Sequence, residues 1–404
     1  MLKIRRLCEE ETHLVSRLKT IVFFGRWDYS KEERKDPDHL KLPAEWTWGA
    51  FEGNKLLATL QEIEFSMNFD GNFVPMSGVA GVGTLPEARK GGLMRKMFRQ
   101  VFLEAYEKGV VFSCLCPFSH SYYRQFGYET ACARNHITIP IGEFSHIKPR
   151  GDFTQIFPGD DCSALAEIHR GYIANLNHGI SRDYWPDNRA WKIFSRSDPY
   201  STGNYLYLWR DEKGRNRGYI KIEDVRNKEN QHAVAVRELV FLDRDALYGV
   251  LSLIGVLGAQ AKEFQWLMPA YLDPADFIGN AWEINQQLRP RDMTCVINVK
   301  TAFEKMRLPE AGEFTIEVKD EMIDANNGRF LVEIGQSGGG NRVSKTQKEA
   351  DLICDIPTLS QLITGYRSLE NALYTRKSGL EVRRNLPVLK KAFTLRPQHL
   401  TEYF

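Results

Sequence analysis

The residues best suited to chemistry form a basic, glycine-rich turn at residues 89–92 (RKGG). An apolar run, residues 77–84, precedes the turn, and an amphipathic run opens after it at Leu93. Glycines let the backbone approach a ligand closely because they carry no side chain. The first N–H groups of a helix lack partners within the helix, and the helix dipole favours an anion there. The turn therefore fits a pyrophosphate, although a solvated glycine loop would contain the same residues.

Two common phosphate-binding motifs do not fit this turn. The dinucleotide fingerprint G-x-G-x-x-G would begin at Gly81, but Pro86 stands where its third glycine packs helix against strand. The P-loop pattern needs a lysine and a hydroxyl residue after its last glycine, whereas Leu93 follows Gly92. What remains is a strand, a basic turn and a helix that match neither motif.

Hydrophobic periodicity predicts the elements that position the turn. Helical spacing over residues 11–24 predicts a first helix, and alternation on both sides of Gly53-Asn54 and of Asp70-Gly71 predicts an antiparallel meander. The run from Leu93 carries one apolar stripe and stops at Gly109, as helices often do. A buried strand (110–116), a short helical turn (119–128) and another strand (129–140) are predicted to follow.

The rest of the chain predicts two further units. Residues 151–292 repeat the order of helix, strands, helix and strand, but the segment VRELVFLDRDALYGVL lacks a basic glycine turn. Residues 293–404 alternate short strands and helices, with Asp355 predicted to cap a helix. We therefore predict an α+β protein with units at residues 1–150, 151–292 and 293–404.

Composition excludes several classes of protein. A chain of 404 residues with 43% hydrophobic residues can bury large cores and is too long for one ordinary domain. A formal net charge of +2 gives no reason to expect nucleic-acid or membrane binding, and no long apolar run occurs. The seven cysteines are scattered and complete no cluster of metal ligands, so we expect no metal site and a reduced, cytoplasmic setting.

The turn and a second motif together resemble a known family. The segments VAGVGTLPEARKGGLMRKMF and SYYRQFGYE resemble the acetyl-coenzyme A signature of GNAT N-acetyltransferases. Over essentially the whole chain, two GNAT-like units followed by a sterol-carrier-like unit resemble the Eis (enhanced intracellular survival) acetyltransferases. Met94 departs from the general GNAT pattern, which has glycine or alanine there. The implied fold is two tandem GNAT units, the second without a cofactor turn, and a C-terminal sterol-carrier-like α+β domain.

The resemblance also implies roles for particular residues. Tyr123 would be the general acid, with Tyr122 the alternative if the alignment slips by one position, and the terminal carboxylate of Phe404 would be the general base. His120 lies near Tyr123, but a lone histidine at a helix start usually faces solvent. The residues expected to hold acetyl-coenzyme A are Val82, Gly83 and Thr84 along its acetyl arm and Arg89, Lys90, Gly91, Gly92 and Leu93 at its pyrophosphate.

The function implied is acetyl transfer to a primary amine. Aminoglycosides, polyamines and lysine side chains are the possible acceptors. Asp28, Glu32 and Glu33, within residues 23–36, would suit a cationic amine, or they form an ordinary solvated face. The alternatives are a longer-chain acyltransferase and a lipid-binding or scaffolding protein with a relic GNAT core. The resemblance further implies a homo-oligomer, a hexamer in that family.

Overall fold

The computed structural model describes residues 1–24, 43–183, 189–194, 203–335, 340–375 and 379–404. Contacts divide the chain into two compact units. The first contains residues 1–131, 292–396 and 402–404, and the second contains residues 132–291 and 397–401. The three-part division at residues 150 and 292 stays a prediction. The acceptor cluster predicted around Asp28, Glu32 and Glu33 lies outside the described residues.

Both units contain strands and helices, which are numbered in chain order. The strands are β1 Leu2–Arg6, β2 Thr47–Glu52, β3 Lys55–Phe69, β4 Asn72–Thr84, β5 Phe112–Leu115, β6 Glu129–Pro140, β7 Asp152–Ile156, β8 Asn204–Arg210, β9 Asn216–Arg226, β10 His232–Phe241, β11 Glu263–Pro269, β12 Asn285–Val296, β13 Gly312–Lys319, β14 Gly328–Ile334, β15 Arg342–Lys345, β16 Leu352–Asp355 and β17 Leu380–Val382. The helices are α1 Thr12–Val22, α2 Leu93–Glu107, α3 His120–Arg124, α4 Ser163–Ile173, α5 Arg189–Phe194, α6 Arg244–Val256, α7 Val299–Lys305, α8 Ile356–Ile363, α9 Leu369–Tyr374 and α10 Leu386–Ala392.

In the first unit, the strands that carry the glycine turn form a mixed sheet. Its order is β1-β2-β3-β4-β5, followed by the end of β12. The strands β1 to β4 are antiparallel neighbours, as the alternating sequence predicts, whereas β4 and β5 are parallel. The parallel pairing joins Met76–Val79 to Phe112–Leu115. Beyond Val79, β4 pairs with β3 up to Thr84, so the β5 side of β4 is left open along this stretch of the described chain.

Helix α2 connects β4 to β5 and packs on the sheet through its apolar stripe. The helix ends before Gly109, whose φ of 76° is the left-handed conformation that favours glycine. Both the stripe and the stop match the sequence prediction. The buried residues of the helix are Leu93, Met94, Met97, Phe98, Val101, Phe102 and Ala105.

The first unit also contains a five-stranded sheet, β15-β14-β13-β16-β17. Helix α8 follows β16, and the Asp355 carboxylate accepts a hydrogen bond of 2.8 Å from the Thr358 amide, which confirms the predicted cap. All residues of α8 except Pro357 are buried, so this helix forms much of the local core. The segment is the smaller α+β unit that the sequence predicts.

In the second unit, the residues of β6 from Cys132 onward are followed in sheet order by β11, β10, β9, β8 and β7. Strands β10 and β11 are parallel and are connected by α6, whereas the other neighbours are antiparallel. The unit therefore repeats the strand, helix and parallel strand of the first unit. Among the described residues, no helix is both long and apolar enough to cross a membrane.

Candidate active site

The first unit contains a cleft of about 810 Å³ at the end of β4. This volume lies within the usual range for small-molecule sites. Its wall comes from the end of α1, the end of β4, the glycine turn, the start of α2 and the segment around α3. The lining residues are Val22, Phe23, Val82, Gly83, Thr84, Ala88, Arg89, Lys90, Gly92, Leu93, Met94, Arg95, Phe118, Tyr122, Gln125 and Phe126.

The turn leaves the start of α2 open. Gly92 is the N-cap residue, with a φ of 69°, and within the described chain no side chain caps the first turn of the helix. A Cβ built on Gly91 or Gly92 would meet no atom within 4 Å, so the space in front of the helix is free of protein. The first N–H groups of a helix and the positive end of its dipole favour an anion, so this geometry suits one.

Basic side chains surround the open helix start. Arg89 and Lys90 are exposed, and both line the cleft with Arg95. Arg89 is fixed near the strand end because its Nε donates a hydrogen bond of 3.1 Å to the Thr84 carbonyl oxygen. Arg95 donates to the Gln125 carbonyl oxygen at 2.6 Å and forms an ion pair of 2.8 Å with Glu321. The charge of this site is therefore local, in a chain whose overall charge is nearly balanced.

Helix α1 lies directly against β4 beside the cleft. A Cβ on Gly83 would be 3.1 Å from Leu18 Cδ2 and 3.3 Å from Val22 Cγ1. These distances are tighter than ordinary van der Waals contacts, so a larger residue would displace the helix. Gly83 thus permits the close approach that brings Val22 and Phe23 to the cleft wall.

The predicted cofactor residues come together in this cleft. Val82, Gly83 and Thr84 line it from the strand, and Arg89, Lys90, Gly92 and Leu93 line it from the turn and helix. Gly91 is the exception, since it belongs to the turn but is not among the lining residues. The grouping is what a bound coenzyme would require, while the role of each residue stays a prediction.

The two neighbouring tyrosines of α3 have different surroundings. Tyr122 is half-buried and lines the cleft, whereas Tyr123 is 4% exposed. Burial raises the pKa of both hydroxyls above the usual value, and for Tyr123 the neighbouring Tyr122 adds to the effect. Both phenols are therefore protonated near neutral pH. Among the described residues, the rings within 6.5 Å of the Tyr123 ring, centroid to centroid, are those of Phe98, Phe118, Tyr122 and Tyr128.

His120, at the start of α3, is half-buried rather than turned to solvent. Its Nε2 atom is buried and has no hydrogen-bond partner among the described residues. The usual expectation for a lone histidine at a helix start is therefore wrong at this position, because neighbouring atoms cover the ring edge.

Phe404 lies on the sheet where β4 and β5 are paired. Its ring centroid is 4.9 Å from that of Phe65, and a Cβ built on Gly78 would be 3.0 Å from the ring. Gly78 of β4 pairs with Cys114 of β5, and the parallel pairing of these strands ends at the next residue of β4, Val79. The terminal residue therefore packs into the first unit near the point where the two strands separate.

A buried hydroxyl pair connects these strands to the aromatic cluster. The Tyr128 and Ser113 hydroxyls are 2.6 Å apart, and Ser113 also donates to the Ser77 carbonyl oxygen at 3.1 Å. Because the Ser113 proton is used on Ser77, Tyr128 is the donor to Ser113. The Tyr128 ring is 6.1 Å from that of Tyr123, so one ring contact and two hydrogen bonds connect Tyr123 to Ser77 of β4.

Sequence reasoning missed some of the cleft wall. Phe118 lines the cleft with 72% of its surface exposed, which is unusual for so large an apolar side chain. Gln125 lines it as well, next to Tyr122 on the same short helical segment. Phe118 could have been identified from its position in the short loop between the predicted strand at residues 110–116 and the helical turn at residues 119–128, because loop residues often line functional sites.

The residues present fit a coenzyme A pyrophosphate. Two glycines with open space, an uncapped helix start and three basic side chains form a cradle for an anion. Among the described residues, no group of three His, Cys, Asp or Glu side chains is arranged to hold a metal ion.

Comparison with known families and structures agrees with this geometry. Residues 3–131 match the acetyltransferase (GNAT) domain family, and residues 299–399 match the sterol carrier protein domain family. An uncharacterized N-acetyltransferase of Streptomyces griseus is 24% identical over 352 residues, which are 80% of this chain and 80% of the relative.

Two solved structures share the fold over their full lengths. A GCN5-related N-acetyltransferase from Anabaena variabilis has a TM-score of 0.86 at 20% identity, with 100% of each chain covered. Eis1 from Mycobacterium abscessus has a TM-score of 0.80 at 16% identity, again with 100% of each chain covered. Residues 3–131 therefore match a GNAT acetyltransferase domain and residues 299–399 match a sterol carrier protein domain, and the chain shares its fold with these two structures, as its sequence predicts.

Proposed function

We propose that this protein transfers the acetyl group of acetyl-coenzyme A to the primary amine of a small molecule or of a lysine side chain. The small-molecule acceptors that we propose are aminoglycosides and polyamines. To catalyse this reaction, the protein must remove a proton from the amine, stabilise the carbonyl oxygen and donate a proton to the departing sulfur. Acetyl-coenzyme A itself supplies the activated thioester.

The observation that carries the proposal is the cleft at the uncapped start of α2. Residues 89–93 would hold the pyrophosphate through backbone N–H groups and the charges of Arg89 and Lys90. Residues 82–84 lie on the part of β4 that has no β5 partner, so their backbone groups can hydrogen-bond the acetyl arm. The strand and the turn thus bind two parts of one extended molecule.

Tyr123 is proposed as the general acid. Its buried, raised-pKa hydroxyl keeps its proton near neutral pH, which is the state that a proton donor must have before transfer. Tyr122 has the same chemistry and lines the cleft, so it is the natural comparison residue. Substituting each in turn separates the two assignments.

The terminal carboxylate of Phe404 is proposed as the general base. The Phe404 ring packs on Phe65 and beside Gly78, near the end of the β4–β5 pairing. A base must reach the amine proton directly or through one water. A packed terminal ring restricts the position of its own carboxylate, as such a role requires.

The decisive experiment is a thiol-release assay over a panel of amines. Coenzyme A thiol is measured after mixing the protein with acetyl-coenzyme A and spermidine, an aminoglycoside or a lysine peptide. We expect the release of coenzyme A thiol to depend on the presence of an amine, and mass spectrometry of the acceptor should show an amide. Absence of release with every amine, from protein that binds coenzyme A, would contradict it.

Two control arms address the alternatives. Acyl-coenzyme A donors of increasing chain length test for a longer-chain acyltransferase, which would prefer the longer donor. Thermal shifts with coenzyme A and with a fatty acid test for a lipid-binding protein, because a ligand raises the melting temperature only if the folded protein binds it. The proposal expects a shift with coenzyme A.

A further inference from the structure

Lys19 has unusual surroundings for a lysine near the proposed site. Its Nζ donates a hydrogen bond of 2.6 Å to Gln61 Oε1, and it would lie 3.1 Å from a Cβ built on Gly81. The side chain is half-buried, and burial lowers the pKa of its amine. A lowered pKa increases the neutral fraction, and only the neutral amine is a nucleophile.

The amine is next to the strand that forms the cleft wall. Gly81 directly precedes Val82, and Val22, one helical turn after Lys19, lines the same cleft. Residues three apart lie on one face of a helix, so Lys19 and Val22 both point toward β4. The close contact of Gly83 with Val22 fixes α1 at this distance.

Gly81 also marks a change in the strand. Its φ is 55°, and the register between β3 and β4 shifts between Thr59 and Gln61. This bulge lies between the parallel pairing that ends at Val79 and the proposed arm-binding residues 82–84. An acetyl arm that enters at the glycine turn and follows β4 toward its junction with β5 would therefore pass the Lys19 amine.

We infer that Lys19 is an acetyl acceptor within this chain, so that the protein acetylates itself at this position. The inference rests on the proposed function, because acetyl-coenzyme A is the donor. The Nζ lone pair forms a bond to the thioester carbonyl carbon, and the carbon–sulfur bond breaks with its electrons on sulfur. The amine proton is lost and the coenzyme A sulfur gains one, which gives a neutral amide and a free thiol without any oxidant or reductant.

Lys55 provides a matched comparison within the same unit. Its amine is exposed and contacts the Glu87 carboxylate at 2.9 Å, and neither Lys55 nor Lys19 is among the residues that line the cleft. Random acetylation by the reagent in solution would reach this exposed lysine at least as readily as Lys19. Directed transfer from bound acetyl-coenzyme A would favour Lys19, because proximity acts only on the amine beside the donor.

The test is peptide mass spectrometry of the full-length protein after incubation with acetyl-coenzyme A. We expect acetyl on Lys19 approaching one group per chain, and much less on Lys55. Lys19→Arg should remove the main acetylated form from the intact-mass spectrum, whereas Lys55→Arg should not. Gly92→Asp, which places a negative charge in the proposed anion site, should reduce acetylation of Lys19 by roughly tenfold or more, because the donor is then not held beside the amine.

The outcomes separate this inference from the proposed function. If the protein acetylates free amines while Lys19 stays unmodified, self-acetylation is wrong and the proposed function stands. Equal acetylation of Lys19 in the wild type and in Gly92→Asp would show solution chemistry and would also overturn it. If the protein neither binds coenzyme A nor acetylates any amine, both fail.

Discussion

The two units contain the same connection, a strand followed by a helix and a parallel strand, but they begin the helix differently. In the first unit, residues 85–92 separate β4 from α2, and Gly92, the N-cap residue of the helix, provides no side-chain cap. In the second unit, only Leu242 and Asp243 separate β10 from α6. The Asp243 carboxylate accepts a hydrogen bond of 2.8 Å from the Ala246 amide and also pairs with Arg217.

This difference suggests a physical reason why the proposed ligand site is at the first connection and not at the second. The strand pairing is alike, with four residues of β4 paired to β5 and four of β10 paired to β11. The Asp243 carboxylate would repel an anion at the start of α6, and it already accepts a hydrogen bond from an amide of the first helical turn. The strand–helix–strand connection is thus common to both units, and we expect the residues between strand and helix to determine whether an anion can bind.

The largest expected effect is on chemistry at the first connection. Tyr123→Phe should lower kcat by roughly 10² to 10⁴, the usual contribution of a general acid, with little change in coenzyme A affinity. Steady-state kinetics and calorimetry measure the two quantities. Tyr122→Phe is the control, and a large loss there with none at Tyr123 would transfer the role to Tyr122, the residue that lines the cleft.

The next effect concerns the chain terminus in the first unit. Residues appended after Phe404 convert its carboxylate into an amide, which cannot accept a proton near neutral pH. The rate should fall by roughly 10²-fold or more if general-base catalysis contributes its usual share. The comparison is between N-terminally and C-terminally tagged proteins, measured for rate and coenzyme A affinity. Equal rates would remove Phe404 from the mechanism.

We expect a fall in pH to destabilise the second unit before the first. Burial lowers the pKa of His169, His178 and His399, all in the second unit, and that of His178 to about 4. The unfolded chain then binds more protons than the folded one between pH 6.5 and 4. The resulting stabilisation is complete above about pH 6.5 and is lost as the pH falls to about 4, by roughly 3 kcal/mol for His178 alone.

Hydrogen exchange as a function of pH measures this effect in each unit separately. Protection of β8 to β11 should decrease between pH 6.5 and 4 before protection of β2 to β5 does. Loss of protection in both units at one pH would contradict the assignment of this acid sensitivity to the buried histidines of the second unit.

The smallest expected effect is the loss of stability when the N-cap of α6 is removed. Asp243→Ala should destabilise the protein by about 1 kcal/mol, the typical value of an N-cap, and leave coenzyme A affinity unchanged. Thermal unfolding and calorimetry are the measurements. A change in coenzyme A affinity would show that the second connection takes part in cofactor binding after all.

Much of the fold could be predicted because local patterns and tertiary packing agree. The apolar stripe of α2, the alternation of β3 and the Asp355 cap each have a local physical cause, and each element is present. Strand β1 was not predicted, because its sequence LKIRR is largely charged and exposed. It forms through pairing with β2, which is a non-local interaction.

The site could be predicted only in part. The glycine turn is contiguous in sequence, so its residues could be identified together. The surroundings of Tyr122 and Tyr123 could not, because successive helical residues point about 100° apart and only the packed rings decide which is buried. The packing of Phe404 on Phe65 joins residues that are far apart in the sequence, and no periodicity predicts such a contact.

The most direct test of the account is a calorimetric titration of coenzyme A into the wild type, Gly92→Asp and Gly92→Asn. Both substitutions suit the fold, since Asp and Asn tolerate the left-handed conformation and an added Cβ meets no atom. We predict that the wild type binds, that Asp weakens binding by about 10²- to 10³-fold through repulsion of the pyrophosphate, and that neutral Asn weakens it much less. Unchanged affinity in folded Gly92→Asp, or no binding by the wild type, would contradict the assignment of the turn as the coenzyme site.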